Sequence, residues 1–220
     1  MGRFAEGIWL IDHLLALAGT LVQRRDMGAD LAHFAEPFGG AAENRMGTSV
    51  SGRQFCPSKK GGSGVGKARE GRGTRVMLIV DGQGIPLSVY VDSAQPNERK
   101  LTAAALKRLR VPQRRGRPRT RPKVLVADRN FDGEELRRQW RQRGIHPCIP
   151  RQRKPTRKQP RRGRPLKLLP WYRQRWTVER TFAWLFNARR LQVRHERFLH
   201  VFDGFCLLAC SLLCISLILK

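Results

Sequence analysis

The hydrophobic pattern sharpens at Thr74. Val76-Met77-Leu78-Ile79-Val80 is an unbroken apolar run that stops at Asp81-Gly82-Gln83-Gly84, and a second apolar-rich run spans residues 85–91. Two β-rich runs joined by an Asp-Gly turn predict an antiparallel hairpin. Pro96-Asn97-Glu98 then opens a helix whose apolar positions are Leu101, Ala104, Ala105 and Leu109. A buried strand is predicted at 123–128 and ends on an acid, Asp128. A helix at 132–143, with Asp132 or Gly133 at its start, leads into a short strand at 145–149. Two helices, at 171–190 and 198–219, close the chain. This order of hairpin, helix, strand, helix, strand and two helices predicts an α/β layered domain. A strand that ends on an acid and runs into a helix puts Asp128 at the carboxyl edge of a sheet, where open α/β folds bind ligands.

Residues 1–50 differ from the rest. Residues 8–21 can form a short apolar helix, but Gly28, Pro37, Gly39-Gly40 and a Gly/Ser-rich approach to Val50 follow it. No ordered structure is expected there. Residues 204–219 carry no charge, yet 16 residues fall short of the roughly 20 needed to cross a bilayer. A buried core helix is the expectation, with a membrane helix the lesser reading.

Charge narrows the partner. Of 220 residues, 44 are Lys or Arg and 17 are Asp or Glu, a formal net charge of +27. Self-repulsion of that size calls for a polyanion, and nucleic acid is the default partner, although a membrane surface or ribosomal RNA would match the charge equally. Nine basic residues and no acid lie between residues 107 and 123, and nine more between 151 and 167. Pro and Gly in the stretches 110–122 and 150–170 predict loops, read as phosphate-tracking segments that position DNA without reading its sequence. Hydrophobic residues make up 40 %, enough for a core. The five cysteines show no CxxC spacing, which points to a reduced, cytoplasmic setting. Cys206, Cys210 and Cys214 recur every four residues and read as small buried hydrophobes rather than a metal cluster.

Candidate chemistry rests on two carboxylates. Glu179 stands alone: no other acid occurs from 136 to 178. Asp128 lies 51 residues before it, at the end of the predicted strand. Two such carboxylates, brought together, suit Mg²⁺, which keeps waters and takes phosphate oxygens as further ligands. The modest alternatives are a helix cap for Asp128 and a surface ion pair for Glu179. Gly61-Gly62-Ser63-Gly64-Val65-Gly66-Lys67-Ala68 imitates a nucleotide-binding loop, but Ala68 lacks the needed hydroxyl and no apolar strand precedes it. Trp140, Trp171, Trp176 and Trp184 can stack on bases, although helical spacing favours the core. His146 and His195 form no ligand pattern.

Five segments carry a family likeness: Lys59-Lys60-Gly61-Gly62, Val65-Gly66-Lys67, the stretch 80–88, Ala127-Asp128-Arg129-Asn130-Phe131-Asp132, and Arg175-Trp176-Thr177-Val178-Glu179-Arg180 with its continuation to Leu185. Over residues 52–212 the chain resembles bacterial insertion-sequence transposases of the DDE class, in the "insertion sequence five" type group. The resemblance implies a ribonuclease H-like mixed sheet flanked by helices, occupying 51–220 after a non-family segment at 1–50. It implies endonuclease cleavage of DNA at element ends and strand transfer into a target. Mg²⁺ or Mn²⁺ would be the cofactor, the enzyme a homodimer when active, cytoplasmic, with no membrane partner. Asp128 and Glu179 match the second and third acids of the catalytic, metal-holding triad. Tyr172 and Arg175, seven and four residues before the Glu, match DNA contacts, and Arg180 joins them. Lys59, Lys60 and Lys67 are expected near DNA on a mobile basic loop, while Phe186 replaces a Lys often found seven residues after the Glu.

The departure is at the first acid. Aligning Phe55 places it at Gly52, and no acid lies from 44 to 67. Impaired activity is therefore expected, with a frameshifted or rearranged start as its origin. Asp81 is disfavoured as a substitute because Asp in a hairpin turn serves backbone geometry. The alternative is a non-catalytic basic nucleic-acid-binding protein.

Overall fold

The computed structural model describes residues 47–111, 117–151 and 170–218. The expectations for residues 1–46, and most of those for the two basic loops, fall outside the described residues.

The predicted hairpin is present. β3 (Gly71–Asp81) and β4 (Pro86–Ser93) pair antiparallel from Thr74↔Ser93 to Val80↔Pro86. Their turn is built by Asp81, whose Oδ1 accepts from the backbone N–H of Gln83 at 2.9 Å and of Ile85 at 2.8 Å. Gly84 supplies the positive φ (+94°) that closes it.

The strand that orders the sheet is β1 (Thr48–Pro57), which the hydrophobic pattern does not announce. Ser49, Ser51, Gly52, Arg53 and Gln54 give no apolar alternation. The ladder decides instead. β1 pairs antiparallel with β3 from Ser49↔Asp81 to Pro57↔Gly73, and parallel with β5 (Val124–Val126) through Val50↔Val126. Thr48–Val50 are paired on both edges and Ser49–Ser51 are buried, so tertiary pairing overrides weak propensity. β6 (His146–Cys148) adds parallel to β5, and the short β2 (Gly66–Ala68) pairs with the start of β3. The spatial order β4-β3-β1-β5-β6, three antiparallel strands followed by two parallel ones, makes a ribonuclease H-like mixed sheet flanked by helices. Because Lys67 and Ala68 lie in β2 rather than at a helix N-terminus, the nucleotide-loop imitation has no structural basis.

Strand alternation splits the core into two layers. Met77, Ile79, Leu125 and Ala127 face α1 (Glu98–Arg108) and α2 (Glu134–Gln142), meeting Leu101, Leu106, Leu136 and Trp140. Asn97 caps α1 by accepting from the Arg99 N–H. Val50, Leu78, Val80 and Val126 face the opposite layer. That layer consists of α3 (Trp176–Phe186), α4 (Arg189–Gln192) and α5 (Leu199–Ile218), through Val178, Phe182, Leu191, Phe202 and Cys206.

Three expectations are corrected here. The single helix expected at 171–190 is a 3₁₀ turn, Pro170–Arg175, running directly into α3 and then the separate α4. Arg175 keeps helical angles (φ −55°, ψ −35°), so the path continues while the winding changes, and Glu179 sits in the first turn of α3 rather than mid-helix. The final helix is buried on one face only. Phe202, Cys206 and Cys210 pack into the core, with burial pushing both thiols up, whereas Leu208, Leu212 and Ile215 are exposed. By length and composition alone, Leu199–Leu217 would be apolar enough to cross a membrane.

The glycine-rich segment before β2 is tied down rather than loose. Arg194, with 0 % of its surface exposed, donates to Ser63 O (2.6 Å), Gly64 O (3.2 Å) and Thr74 Oγ1 (2.6 Å). Its own backbone N–H donates to Pro57 O, and its carbonyl accepts from Lys59 N. The guanidinium of this buried residue thus fastens the loop to β3, and its backbone N–H ties it to the end of β1.

Candidate active site

Asp128 follows β5 and opens the 3₁₀ turn Arg129–Phe131, where its Oδ1 accepts from the Arg129 N–H at 2.7 Å. The next segment is fixed from behind. Arg137, fully buried, donates to Asp132 Oδ1 at 3.0 and 2.8 Å and to Ile149 O at 2.7 Å. Nothing in the sequence signals that anchor, since Asp132 and Arg137 meet only once α2 has folded.

Glu179 approaches from the other layer. Arg175, one turn earlier, reaches Glu179 Oε1 at 3.0 Å and Asp128 Oδ1 at 3.7 Å with the same Nη1. The two carboxylate oxygens therefore lie no more than about 6.7 Å apart. The modest interpretations are each true locally: Asp128 caps a turn and Glu179 makes an i,i+4 ion pair. What they leave out is the convergence of both acids on one cation. Tyr172 stands beside them, half-buried against the core, its phenol pushed up first by burial, with Arg175 pulling it down and Asp128 raising it. It stays protonated, a hydrogen-bond donor at the rim of the site.

Gly52, where the first acid was expected, lies close to the elements that carry this pair of acids. The parallel ladder ends at Val50↔Val126; continued by two residues, its register would set Gly52 level with Asp128. A Cβ at Gly52 would come within 2.8 Å of both Val178 methyls and 3.3 Å of Phe182, so the glycine lies directly beneath α3, next to the residue that precedes Glu179. That closeness to Val178 has no signal in the sequence. Among the described residues no group of three or more His, Cys, Asp or Glu gathers to hold a metal ion. Asp81 does not fill the gap. It pairs with Ser49, three residues or roughly 10 Å from Gly52, and its Oδ1 is engaged by turn amides.

Arg180 lies on the exposed side of α3. It donates to Gln83 O at 2.6 Å, and its guanidinium sits 4.5 Å from the Trp176 ring and 4.7 Å from the Trp184 ring. Thr181 Oγ1 donates to Gly84 O at 2.8 Å, docking the helix on the hairpin turn. The expectation that the tryptophans are core holds for Trp140 alone; Trp171, Trp176 and Trp184 are exposed. Lys59, Lys60 and Lys67 are exposed as well, but the structure does not bring them to the carboxylates. They lie past the far end of β1, whose Pro57 is five residues, about 17 Å, from Gly52.

A mixed sheet of this order with two acids converging at its edge narrows the class of protein, and comparison with known proteins specifies it. The family model described as "Transposase DDE domain" matches residues 47–214. A Burkholderia cepacia protein assigned as the transposase for insertion sequence element IS402 is 32% identical over 208 residues, which is 91% of this chain and 92% of that protein. The chain belongs to the DDE transposase family of bacterial insertion sequences. A cryo-EM structure of the piggyBac transposase synaptic complex with hairpin DNA gives a TM-score of 0.44 at 11% identity, covering 74% of this chain and 45% of that one.

Proposed function

We propose that this chain binds DNA and holds a single Mg²⁺ or Mn²⁺ between Asp128 and Glu179, as the catalytic half-site of a transposase impaired at Gly52. The observation that carries this reading is the one Arg175 Nη1 lying 3.0 Å from Glu179 and 3.7 Å from Asp128. Two acids whose shared counter-charge is a solvent-accessible arginine already sit where a cation is favoured. Two carboxylates also suit a Mg²⁺ that keeps several waters and takes phosphate oxygens. Bound there, the ion would polarise a phosphodiester and ease deprotonation of the attacking water or 3′-hydroxyl.

The chain's own groups have separate tasks. Asp128 is oriented by its turn N–H, and Glu179 by the first turn of α3. Arg175 neutralises both acids and, with Arg180 and Tyr172, contacts backbone phosphates. Lys59, Lys60 and Lys67 contact the duplex farther off. Gly52 contributes no carboxylate, and losing one ligand of a two-ion clamp removes most of the activity. Cleavage of element ends, strand transfer, a homodimer in the active state and a cytoplasmic, non-membrane setting complete the proposal.

The missing corner also favours a second reading, a DNA-binding protein without catalysis. Nicking of terminal-repeat DNA separates the two. The first predicts weak Mg²⁺- or Mn²⁺-dependent nicking, abolished by Asp128→Asn or Glu179→Gln with DNA binding retained. Binding with no metal-dependent nicking supports the second.

A further inference from the structure

α5 turns one face to the core and leaves the opposite face bare. Phe202, Cys206 and Cys210 are buried, while Val201, Leu208, Leu212 and Ile215 are exposed, Leu208 at 53% and Leu212 at 56%. At about 3.6 residues per turn, Val201, Gly204, Leu208, Leu212 and Ile215 form one stripe, flanked by the half-buried Phe205 and Ser211. The stripe is symmetric about its centre. Counted outwards from Leu208, Val201 matches Ile215, Gly204 matches Leu212 and Phe205 matches Ser211. In the last two pairs a large residue answers a small one. Gly204 has room to receive its match, because a Cβ there would meet nothing within 4 Å. The hydroxyls of Ser211 and Ser216 already donate to Leu207 O (3.0 Å) and Leu212 O (2.8 Å), so covering them strands no polar group.

From this pattern we infer that the α5 stripe is the chain's self-association surface, pairing antiparallel with α5 of a second copy about a two-fold axis at Leu208. A two-fold interface needs a patch in which residue i meets j and j meets i, and these pairs supply it. Leu212 of each copy fills the notch at Gly204 of the other, and Phe205 lies over Ser211, the large-to-small match of well-packed helices. A parallel pair would set Gly204 on Gly204 and Leu212 on Leu212, leaving a hole beside a clash. Charge favours the same occupant. Residues 204–219 carry none in a chain of net charge +27, so two copies meet where their repulsion is least. Antiparallel pairing also brings the exposed Arg197 and His200 beside the last turn of the other helix, whose free carbonyls are partly negative. A lipid surface, by contrast, would gain little from Gly204 and Ser211. The paired stripe is about 30 Å long and about 10 Å wide, at the low end of specific interfaces, so the dimer is reversible rather than permanent. The inference names the contact for the homodimer proposed above and rests on that part of the proposal.

The test is sedimentation equilibrium of the full chain without DNA. A monomer–dimer equilibrium with a Kd on the order of 10 μM is expected, tightening as added salt screens the basic surfaces. Leu208→Glu sets two like charges against each other at the axis and should weaken the dimer about tenfold or more. Gly204→Leu should do the same by filling the notch, and Leu212→Ala added to it should restore the dimer. Circular dichroism matching the parent confirms that these exposed positions leave the fold intact. In a Cys214→Ser background a short bis-maleimide should join Leu208→Cys chains. It should not join Val201→Cys chains, whose sulfurs lie about 21 Å apart along the axis. Dimers that survive Leu208→Glu, or crosslinking at both positions, overturn this surface and leave the homodimer standing. A parent that stays monomeric overturns the surface and the homodimer together, without touching the proposed metal and DNA site. Flotation of a monomeric parent with neutral phosphatidylcholine vesicles, lost in Leu208→Glu, overturns it in favour of a lipid surface.

Discussion

Gly52 lies so close under Val178 that a Cβ on the glycine would stand 2.8 Å from both valine methyls. A β-branched side chain in a helix has little rotamer freedom to yield. The corner that lacks an acid is therefore also closed to one. Gly52→Asp alone should destabilise the chain by about 1–3 kcal/mol through overpacking and restore little nicking. Gly52→Asp with Val178→Ala should recover part of that stability and raise terminal-repeat cleavage. Thermal unfolding and nicking of all three variants check this. A single aspartate variant as stable as the parent would contradict the close approach.

Arg175 competes with any cation for Asp128 and Glu179. Arg175→Gln should tighten Mn²⁺ binding several-fold, read by calorimetry. It should also weaken duplex binding and lower the salt slope by about 1. Mn²⁺ affinity that is unchanged or weaker would show that the arginine does not occupy the cation's place.

The buried Arg194 fastens Ser63, Gly64 and Thr74. Arg194→Ala leaves those acceptors without their charged donor and should cost about 3 kcal/mol or more in urea unfolding. A loss below about 1 kcal/mol would mean that the loop is held by other contacts.

Asp203 on α5 pairs with Arg108 on α1 at 3.1 Å. Burial raises its carboxyl above the usual range, while Arg108 pulls it back. The folded state therefore binds this proton more tightly than the unfolded chain does. The resulting stability is fully present below the unfolded value, near 3.8, and is lost as pH rises through the raised folded value. The stability of the parent minus that of Asp203→Asn should fall from pH 3.5 towards neutrality. A difference that rises with pH would reverse the sign and show that the ion pair outweighs burial.

How much of this was legible in the sequence depended on the kind of signal. Val76 to Val80, the Asp81-Gly82 turn and the 123–128 run announced themselves because their apolar residues fill buried faces on their own. β1 did not, because Ser49, Ser51 and Gly52 owe their place to two neighbouring ladders rather than to side-chain pattern. The positions of Asp128 and Glu179 followed from strand-end and helix logic together with the family likeness. The contact between Gly52 and Val178, the Arg137–Asp132 anchor and the Arg194 staple join residues brought together only by folding, beyond the reach of local spacing. The tryptophans misled for a related reason: helical spacing tells which residues share a face, but not whether that face is buried.

The most direct measurement is Mn²⁺ binding by electron paramagnetic resonance to the free parent chain, Asp128→Asn and Glu179→Gln. The account predicts one bound ion per parent chain and loss of that ion in each variant, with the fold unchanged by circular dichroism. Retention of the ion in either variant would contradict a cation held between Asp128 and Glu179.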